Sequence, residues 1–282
     1  MTEASRESRP GSGDATPGMP DFSPARWRWR IARDLLLRSL AAVVLLTVFV
    51  FFLRTDAGGS ALGVLGAVAV IVGWVALNAS GAATMRALPK VTAMLELSPG
   101  AAELALRPLW DRWCLPRWVR LTLSHRWAML RHHQQRYGEA AALAQTVLRC
   151  SSPGPAAAHR SHLLLLLAES RLEMRDAVGA WMALTELANT ALSLGESLQR
   201  MALQTRYELM IGHEEAALYR AEEKISLAEL MPAGPCGAFH AMLATAAYRL
   251  GDTPRYQSLW ARVELLCTPE QIQQMRESYL AI

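Results

Sequence analysis

The sequence of 282 residues predicts an all-α protein, with a transmembrane helical hairpin at its N-terminus and an array of helical hairpins behind it. Two observations predict these parts: a pair of long apolar runs, and a turn pattern that recurs at a nearly constant spacing. A third observation excludes other classes. No strand-like alternation of apolar and polar residues, and no alternation of strands with helices, competes with the helical periodicity.

The two apolar runs cover residues 35–53 and 61–79. A helix of about 20 residues spans the hydrocarbon core of a bilayer, roughly 30 Å thick, and both runs approach that length. The polar turn at 54–60 is short enough for a tight hairpin. We therefore predict two membrane spans within residues 25–81. The preceding residues 1–24 are rich in Gly, Pro, Ser and charge, and we predict a disordered tail there.

The distribution of charge places both ends of this hairpin on the cytoplasmic side. Arginines precede the first run and follow the second, whereas the turn has only Arg54, offset by Asp56. Because positive residues stay inside, we expect a cell (inner) membrane protein with a cytoplasmic N-terminus and C-terminal domain. One alternative is a secretory signal peptide, disfavoured by its long N-terminal region and missing cleavage site. The other is a buried soluble hairpin, disfavoured because 49–53 is apolar on every face.

The second run has glycines whose spacing suits close packing of helices in lipid. They are Gly59, Gly63, Gly66 and Gly73. We expect this face to pack against a partner helix or a second copy of the chain, or else only against the first helix. Neither run has an Asp, Glu, Lys or His at membrane depth, which argues against a proton or ion path.

Residues 82–120 are predicted to form a juxtamembrane helical neck. Pro89 and Pro108 are expected to kink its helices, and Ser98 followed by Pro99 is typical of a helix start. Tryptophan and arginine are frequent here, which indicates either packing on the membrane surface or an ordinary tryptophan core under a helical domain.

Composition and motifs bound the chemistry. The net charge of +4 and the pI near 9.1 partly reflect the membrane-flanking arginines, so they do not argue for nucleic acid. The four cysteines are far apart with no C-x-x-C pair, which argues against zinc and disulfides. No phosphate-binding glycine loop, dinucleotide fingerprint or nucleophile elbow is present. We expect no cofactor, no metal and no enzymatic activity.

From about residue 121 a local turn pattern recurs four times: a long helix ends, a Gly or polar turn follows, and a second helix begins. Equivalent turn positions lie 37 to 39 residues apart, at Tyr137, Asp176, His213 and Asp252. A fixed period of this size is typical of a helical solenoid. The predicted first (A) helices are 121–136, 156–173, 197–211 and 235–250. The predicted second (B) helices are 138–150, 176–194, 213–230 and 253–267.

This unit resembles the tetratricopeptide repeat, a helix–turn–helix of about 34 residues. The last copy carries the resemblance best, in 243–252 followed by Trp260, Val263 and Pro269. The first copy has Trp127 and later Val147 at matching places, whereas the second and third copies depart from the pattern. The resemblance covers roughly 121–267, within a repeat domain predicted at 121–282 that ends in a capping helix. It implies that A helices line a concave groove for partner segments.

Basic residues are concentrated on the A helices, and acidic residues on the B helices and turns. The candidate partner-binding residues of the groove are His125, Arg126, Arg131, His132, His159, Arg160, His162, Arg200, Arg206 and His240. If these residues face inward, the groove is positive and favours an acidic segment or a C-terminal carboxylate. The alternative is a solvated face without a ligand.

Two classes of function follow. The first is a non-enzymatic, membrane-anchored scaffold for protein–protein interaction, such as an assembly factor or an accessory subunit of a membrane complex. Its expected partners are other proteins, membrane lipid and a second copy of the chain, but no nucleic acid. The second is a membrane-anchored sensor or enzyme domain that binds a small anion through His and Arg residues. Three or more polar groups converging in a closed pocket would favour the second class.

Overall fold

The computed structural model describes residues 24–54, 61–111, 117–150 and 157–277. These residues form only helices and their connections, so the predicted all-α class is confirmed. The helices are α1 Pro24–Arg54, α2 Ala61–Leu97, α3 Pro99–Asp111, α4 Arg117–His133, α5 Tyr137–Cys150, α6 Ala157–Glu173, α7 Ala177–Ala188, α8 Leu194–Met210, α9 Glu214–Leu218, α10 Ala221–Ala228, α11 Ala233–Arg249, α12 Thr253–Leu266 and α13 Pro269–Met275. The predicted disordered tail lies outside the described residues.

Helices α1 and α2 pack against each other and form the N-terminal hairpin. Both expose large apolar side chains along their length: Leu35, Leu36, Leu40, Val43, Val44, Leu46 and Val50 on α1, and Val68, Ile71, Val72, Trp74 and Val75 on α2. Within the residues that the structure describes, no helix has the length and apolarity required to cross a membrane.

Residues 82–120, the predicted neck, include the last part of α2, all of α3 and the start of α4. Helix α2 continues through Pro89 to Leu97, and its last part packs in the same core as the helices that follow. Trp110 and Trp127 are both buried there and meet edge to face, with ring centroids 6.3 Å apart. Of the two interpretations of these tryptophans, core packing therefore describes this pair, whereas Trp118 is exposed.

Four helical hairpins follow, close to their predicted bounds: α4–α5, α6–α7, α8–α9 and α11–α12. Two predictions were wrong in detail. The second B helix ends at Ala188 instead of 194. The third, predicted as one helix over 213–230, is divided into α9 and α10, because Arg220 adopts a left-handed conformation with φ 55°.

The same backbone turn closes the first helix of every hairpin. One residue per turn has a positive φ: Gln135, Arg175, Gly212 and Gly251, which lie 37 to 40 residues apart. The residue after it donates its backbone N–H to a carbonyl five positions earlier, at 2.8–2.9 Å. This is the Schellman end of a helix, which satisfies carbonyls that the helix leaves unpaired. In two of the turns the next residue is an aspartate, Asp176 or Asp252, that caps the second helix.

Successive hairpins pack through their first helices, because α4 contacts α6, α6 contacts α8, and α8 contacts α11. The buried apolar residues form two clusters. One extends from α2 to α8, and the other from α8 to α13. Helix α8 belongs to both clusters, with Leu203 in the first and Leu209 in the second.

Candidate functional site

A cleft of about 650 Å³ opens between α4 and α6, with contributions from α5 and α8. Histidine dominates its lining. The lining residues are His125, Arg126, Met129, His132, His133, Gln135, Tyr137, His159, His162, Leu165, Leu166, Glu169 and Gln199. Because α4 and α6 are the first helices of adjacent hairpins, helical spacing repeated on both of them brings these side chains together.

Three imidazoles stack at one end of the cleft. The ring of His125 lies 6.1 Å from that of His159 and 5.9 Å from that of His162, at interplanar angles of 29° and 22°. His159 and His162 are one helical turn apart on α6, which places both rings beside α4. His162 Nδ1 also lies 3.6 Å from Glu196 Oε1 on α8. We call His125, His159 and His162 the histidine stack.

Hydrogen bonds fix the tautomer of His159. The Thr122 hydroxyl donates to the Trp118 carbonyl at 2.9 Å and lies 3.2 Å from His159 Nε2. A hydroxyl has only one proton to donate, so at the second contact it accepts, and Nε2 of His159 holds the proton. In the neutral ring, Nδ1 of His159 is therefore the nitrogen with a free lone pair.

Two of the three rings in the histidine stack resist protonation. Burial lowers the pKa of His125 to about 3, with further lowering by Arg126, His162 and His159. Burial also lowers the pKa of His159, to which His162 and Arg126 add. A buried imidazole resists protonation because the charged form loses its hydration.

Arg126 is the permanent cation of the cleft. Among the described residues it has no carboxylate partner: its Nε is buried without a hydrogen bond, and its Nη1 contacts Met129 Sδ at 3.3 Å. Burial alone lowers its pKa, with no opposing carboxylate. A half-buried guanidinium that lacks a counter-ion is costly, and an anionic ligand would offset that cost.

At the other end of the cleft, His132 contacts three neighbouring side chains. His132 Nε2 lies 3.8 Å from Glu169 Oε1, and His132 Nδ1 lies 3.2 Å from Ser170 Oγ. The ring of Tyr137 meets that of His132 edge to face at 5.1 Å. Burial and Glu169 are among the causes that raise the pKa of Tyr137. Glu169 is the one acid among the residues that line the cleft.

Half of the predicted groove residues meet in this cleft: His125, Arg126, His132, His159 and His162. The others lie elsewhere. Arg160 pairs with Glu186 on α7, Arg206 Nη1 lies 2.8 Å from Glu173 Oε1, and Arg200 is half-buried on α8. His240 is buried in the second apolar cluster, and its Nδ1 has no hydrogen-bond partner among the residues that the structure describes.

Arg131 points away from the cleft into the first apolar cluster. Its side chain is fully buried and lies 5.1 Å from the ring of Trp127. It pairs with Glu103 at 3.2 Å, with Glu139 at 3.3 Å, and donates to Gln134. These bonds tie α3, α4 and α5 together, so this guanidinium is committed to the fold.

Sequence reasoning missed Tyr137, Glu169 and Gln199 as residues of the cleft. Tyr137 was predicted only as a turn position. Glu169 carries a signal in its own helix, because it lies about two helical turns after His162 on the same A helix. Gln199 enters from α8, and no pattern within its own helix indicates that contact.

The four glycines predicted to pack the second apolar run lie only partly within the described residues. Gly59 lies outside the described residues, and the surroundings of Gly63 are not described either. Gly66 is half-buried. At Gly73 a Cβ would meet nothing within 4 Å, so none of the helices that the structure describes approaches closely at that position.

Within the described part of the chain, no group of three or more His, Cys, Asp and Glu side chains is arranged to hold a metal ion. Comparison with protein-family models, with curated proteins and with solved structures gave no match to this chain.

Proposed function

We propose that this protein is a membrane-anchored adaptor that holds an acidic segment of a partner protein in the cleft between α4 and α6. The observation that carries the proposal is Arg126, a half-buried guanidinium with no carboxylate partner in the described residues. The guanidinium lines the cleft, and a planar guanidinium matches the two oxygens of a carboxylate.

The rest of the cleft suits a chain segment. The cleft is open to solvent, and Leu165, Leu166 and Met129 give it apolar walls beside the basic groups. An extended or helical segment can place a carboxylate on Arg126 and its apolar side chains against those walls. Glu169, the one acid among the residues that line the cleft, lies beside His132 and does not neutralise Arg126.

The architecture proposed for this adaptor is a solenoid similar to tetratricopeptide repeats. Its support is the Schellman turn repeated in four hairpins and the packing of each first helix on the next. Solenoids of this kind commonly use the surface of their first helices to bind partner segments. The cleft lies on that surface, because α4 and α6 are both first helices.

The anchor proposed is the α1–α2 hairpin, in the cell (inner) membrane with the helical array in the cytoplasm. Its support is the exposed apolar surface along both helices, which in water would favour aggregation. At the start of α1, the guanidinium of Arg33 lies 5.5 Å from the exposed ring of Trp29, a pairing suited to lipid headgroups. Because no described helix is long and apolar enough to cross a membrane, the proposed anchor requires a direct experimental test of membrane integration.

The convergence of three histidines and an arginine favours a second candidate. In this alternative the same cleft binds a small anion, and the chain is a membrane-anchored sensor or enzyme. The two candidates differ in what contacts the cleft rim. A protein segment reaches across the rim to Gln199, whereas a small anion remains beside Arg126.

The experiment is site-specific photo-cross-linking from position 199 of the full chain in its native membrane. We expect cross-links to one acidic segment that disappear with Arg126→Glu and persist with Arg160→Glu, because Arg160 already pairs with Glu186. The matched control is the exposed Gln257 on α12. Identical cross-links from both positions, or cross-links insensitive to Arg126→Glu, contradict the proposal.

Two further measurements complete the test. If no peptide is cross-linked but inorganic phosphate raises the melting temperature in an Arg126-dependent manner, the small-anion candidate replaces the adaptor. Alkaline carbonate extraction of the membranes tests the anchor, because an integral hairpin stays in the pellet. Complete release into the supernatant contradicts membrane integration.

A further inference from the structure

The histidine stack differs from an ordinary basic patch in that its charge is variable. Arg126 carries one fixed positive charge, whereas the rings of His159 and His162, which lie 6.1 Å and 5.9 Å from that of His125, can each gain a proton. An anion bound at Arg126 changes the potential at those rings. We propose that the cleft takes up a proton together with its anionic ligand, at His159 or His162, so that a carboxylate-bearing segment binds more tightly as the pH falls.

This inference rests on the proposed function, since it concerns the same cleft and the same class of ligand. It adds a regulatory property that a fixed cationic groove would lack. A groove lined by arginine and lysine alone would bind carboxylates equally between about pH 7.5 and pH 5.5, because none of those groups titrates there.

His125 is not the acceptor of the proton. Only 8% of its surface is exposed, and Arg126 is its neighbour in sequence. A carboxylate on Arg126 would remove part of the repulsion, but the loss of hydration at the buried ring would remain. His125 therefore serves as a neutral spacer against which the two other rings stack.

His159 has an available position for the proton. Its Nε2–H is committed to the Thr122 hydroxyl, so a proton added to this ring goes to Nδ1 and creates a second donor. Arg126 is among the causes that lower its pKa. When a ligand carboxylate neutralises Arg126, that cause disappears, and an opposite charge at short range favours the imidazolium.

His162 has a permanent anion beside it. Glu196 Oε1 lies 3.6 Å from His162 Nδ1. Hydrogen bonds from Ser161 and from the backbone N–H of Ser193 lower the pKa of Glu196 to about 2, so it stays ionised throughout the relevant range. Only 12% of the Glu196 side chain is exposed, and a half-exposed imidazole next to it gains a charged partner on protonation.

The other titratable groups facing the histidine stack do not change charge over this interval. On α4 the neighbour is Arg126 and on α8 it is Glu196. Tyr137 on α5, whose pKa is raised above its ordinary value, meets His132 at the other end of the cleft. Glu169 on α6 faces His132, and the exposed His133 meets the ring of His132 at 6.4 Å, away from the histidine stack. We therefore assign the change in charge to His159 and His162, the two rings that lie against His125.

The test is titration calorimetry of the purified full chain in a neutral detergent with the peptide acetyl-(Glu-Asp)₃-amide. Measurements in two buffers of different ionisation enthalpy give the number of protons taken up. We expect uptake of up to one proton per peptide near pH 6.5, and an affinity about tenfold higher at about pH 5.5 than at about pH 7.5. The carboxylates of the peptide stay ionised over this interval.

Variants assign the uptake to the two rings. His159→Gln with His162→Gln is expected to abolish the proton uptake and to flatten the pH dependence of the affinity, whatever its affinity at about pH 7.5. The matched control is His213→Gln, which removes an exposed histidine that makes no side-chain cap at the start of α9. Helicity and melting temperature of each variant confirm that it folds.

The outcomes separate the two proposals. Binding of the peptide through Arg126 with no proton uptake overturns this inference and leaves the adaptor in place. Uptake that survives in the double variant also overturns it. No peptide binding at either pH, with wild type and Arg126→Glu equally inert, contradicts the acidic-segment function itself.

Discussion

Asp34 and Arg120 form an ion pair in which both side chains are almost completely withdrawn from solvent. Asp34 Oδ2 lies 3.1 Å from Arg120 Nε, and only 8% and 6% of the two side chains are exposed. Arg120 also donates from Nη1 to the Trp110 carbonyl, and its guanidinium lies 5.7 Å from the Trp110 ring. One side chain of α4 thus holds the beginning of α1 and the end of α3, and it joins the hairpin to the helical array.

We predict that Asp34→Leu destabilises the full chain by about 3–5 kcal/mol, because it leaves the buried guanidinium of Arg120 without its anion. The measurement is the free energy of unfolding, followed by helical circular dichroism in a neutral detergent. The double variant Asp34→Leu with Arg120→Met is expected to recover most of the loss, since a buried pair can be replaced by apolar residues of similar volume.

The matched control for this pair is Asp111→Asn. Asp111 pairs with Arg30 at 3.8 Å, and 63% of its side chain is exposed. An exposed pair contributes less than about 1 kcal/mol, so this variant is expected to change stability little. If Asp34→Leu lowers the free energy of unfolding no more than Asp111→Asn does, the Asp34–Arg120 ion pair does not hold the hairpin to the helical array.

The left-handed residue that ends the first helix of each hairpin allows a prediction about a stabilising substitution. Arg175 has φ 56°, in the left-handed region that costs a residue with a Cβ about 1–2 kcal/mol. At the equivalent place of the fourth hairpin, Gly251 has φ 74°. We expect Arg175→Gly to raise the free energy of unfolding by about 1 kcal/mol and Gly251→Ala to lower it by a similar amount. Equal effects of the same sign would contradict the shared turn.

These turns also explain how much of the fold the sequence predicted. Gly212 and Gly251 indicate two of the helix ends directly, and capping aspartates follow Arg175 and Gly251, so local chemistry fixes most hairpin bounds. The break at Arg220 was missed because no glycine, proline or cap precedes it. Its left-handed φ is imposed by the packing of α9 and α10 against other helices, which a single stretch of sequence does not reveal.

The cleft was predicted in part for a related reason. Helical spacing on α4 and α6 places His125, His132, His159 and His162 on facing surfaces, and this follows from the sequence alone. Whether an arginine is free or paired depends on acids from other helices. Arg160 finds Glu186 on α7, and Arg131 finds Glu103 on α3. Those partners are distant in sequence, so the prediction included basic residues that the fold neutralises.

Acid sensitivity is predicted from His125. Burial lowers its pKa to about 3, whereas the unfolded chain has the ordinary value of 6.5. Between these values the unfolded state binds the extra proton, so stability is highest above pH 6.5 and falls as the pH is lowered. For this group the loss between about pH 7.5 and pH 5 amounts to about 2 kcal/mol.

The variant that isolates this effect is His125→Gln. We expect its stability to fall less than that of the wild type over the same interval, whatever its stability at neutral pH. The exposed His213→Gln serves as control and should follow the wild type. A wild-type curve parallel to that of His125→Gln would show that His125 ionises equally in both states.

A final prediction concerns the contact of α11 with the end of α12. Gly237 is buried, and a Cβ at this position would come closer than 3.0 Å to Cys267 Sγ and 3.4 Å from Leu266 Cβ. Glycine is therefore required by close packing and not by its backbone conformation. Gly237→Ala is expected to lower the free energy of unfolding by about 1–3 kcal/mol, because extra volume in a packed core forces its neighbours to shift.

Two variants distinguish crowding from other effects of adding a methyl group. Gly195→Ala on α8 meets nothing within 4 Å, so its higher helix propensity should give a gain of at most about 1 kcal/mol. Combining Gly237→Ala with Cys267→Ala removes the sulfur that the new methyl group would meet. If the added methyl group at position 237 meets Cys267 Sγ, the double variant is more stable than the sum of the two single effects predicts. Strict additivity of the two effects would exclude contact between the two side chains.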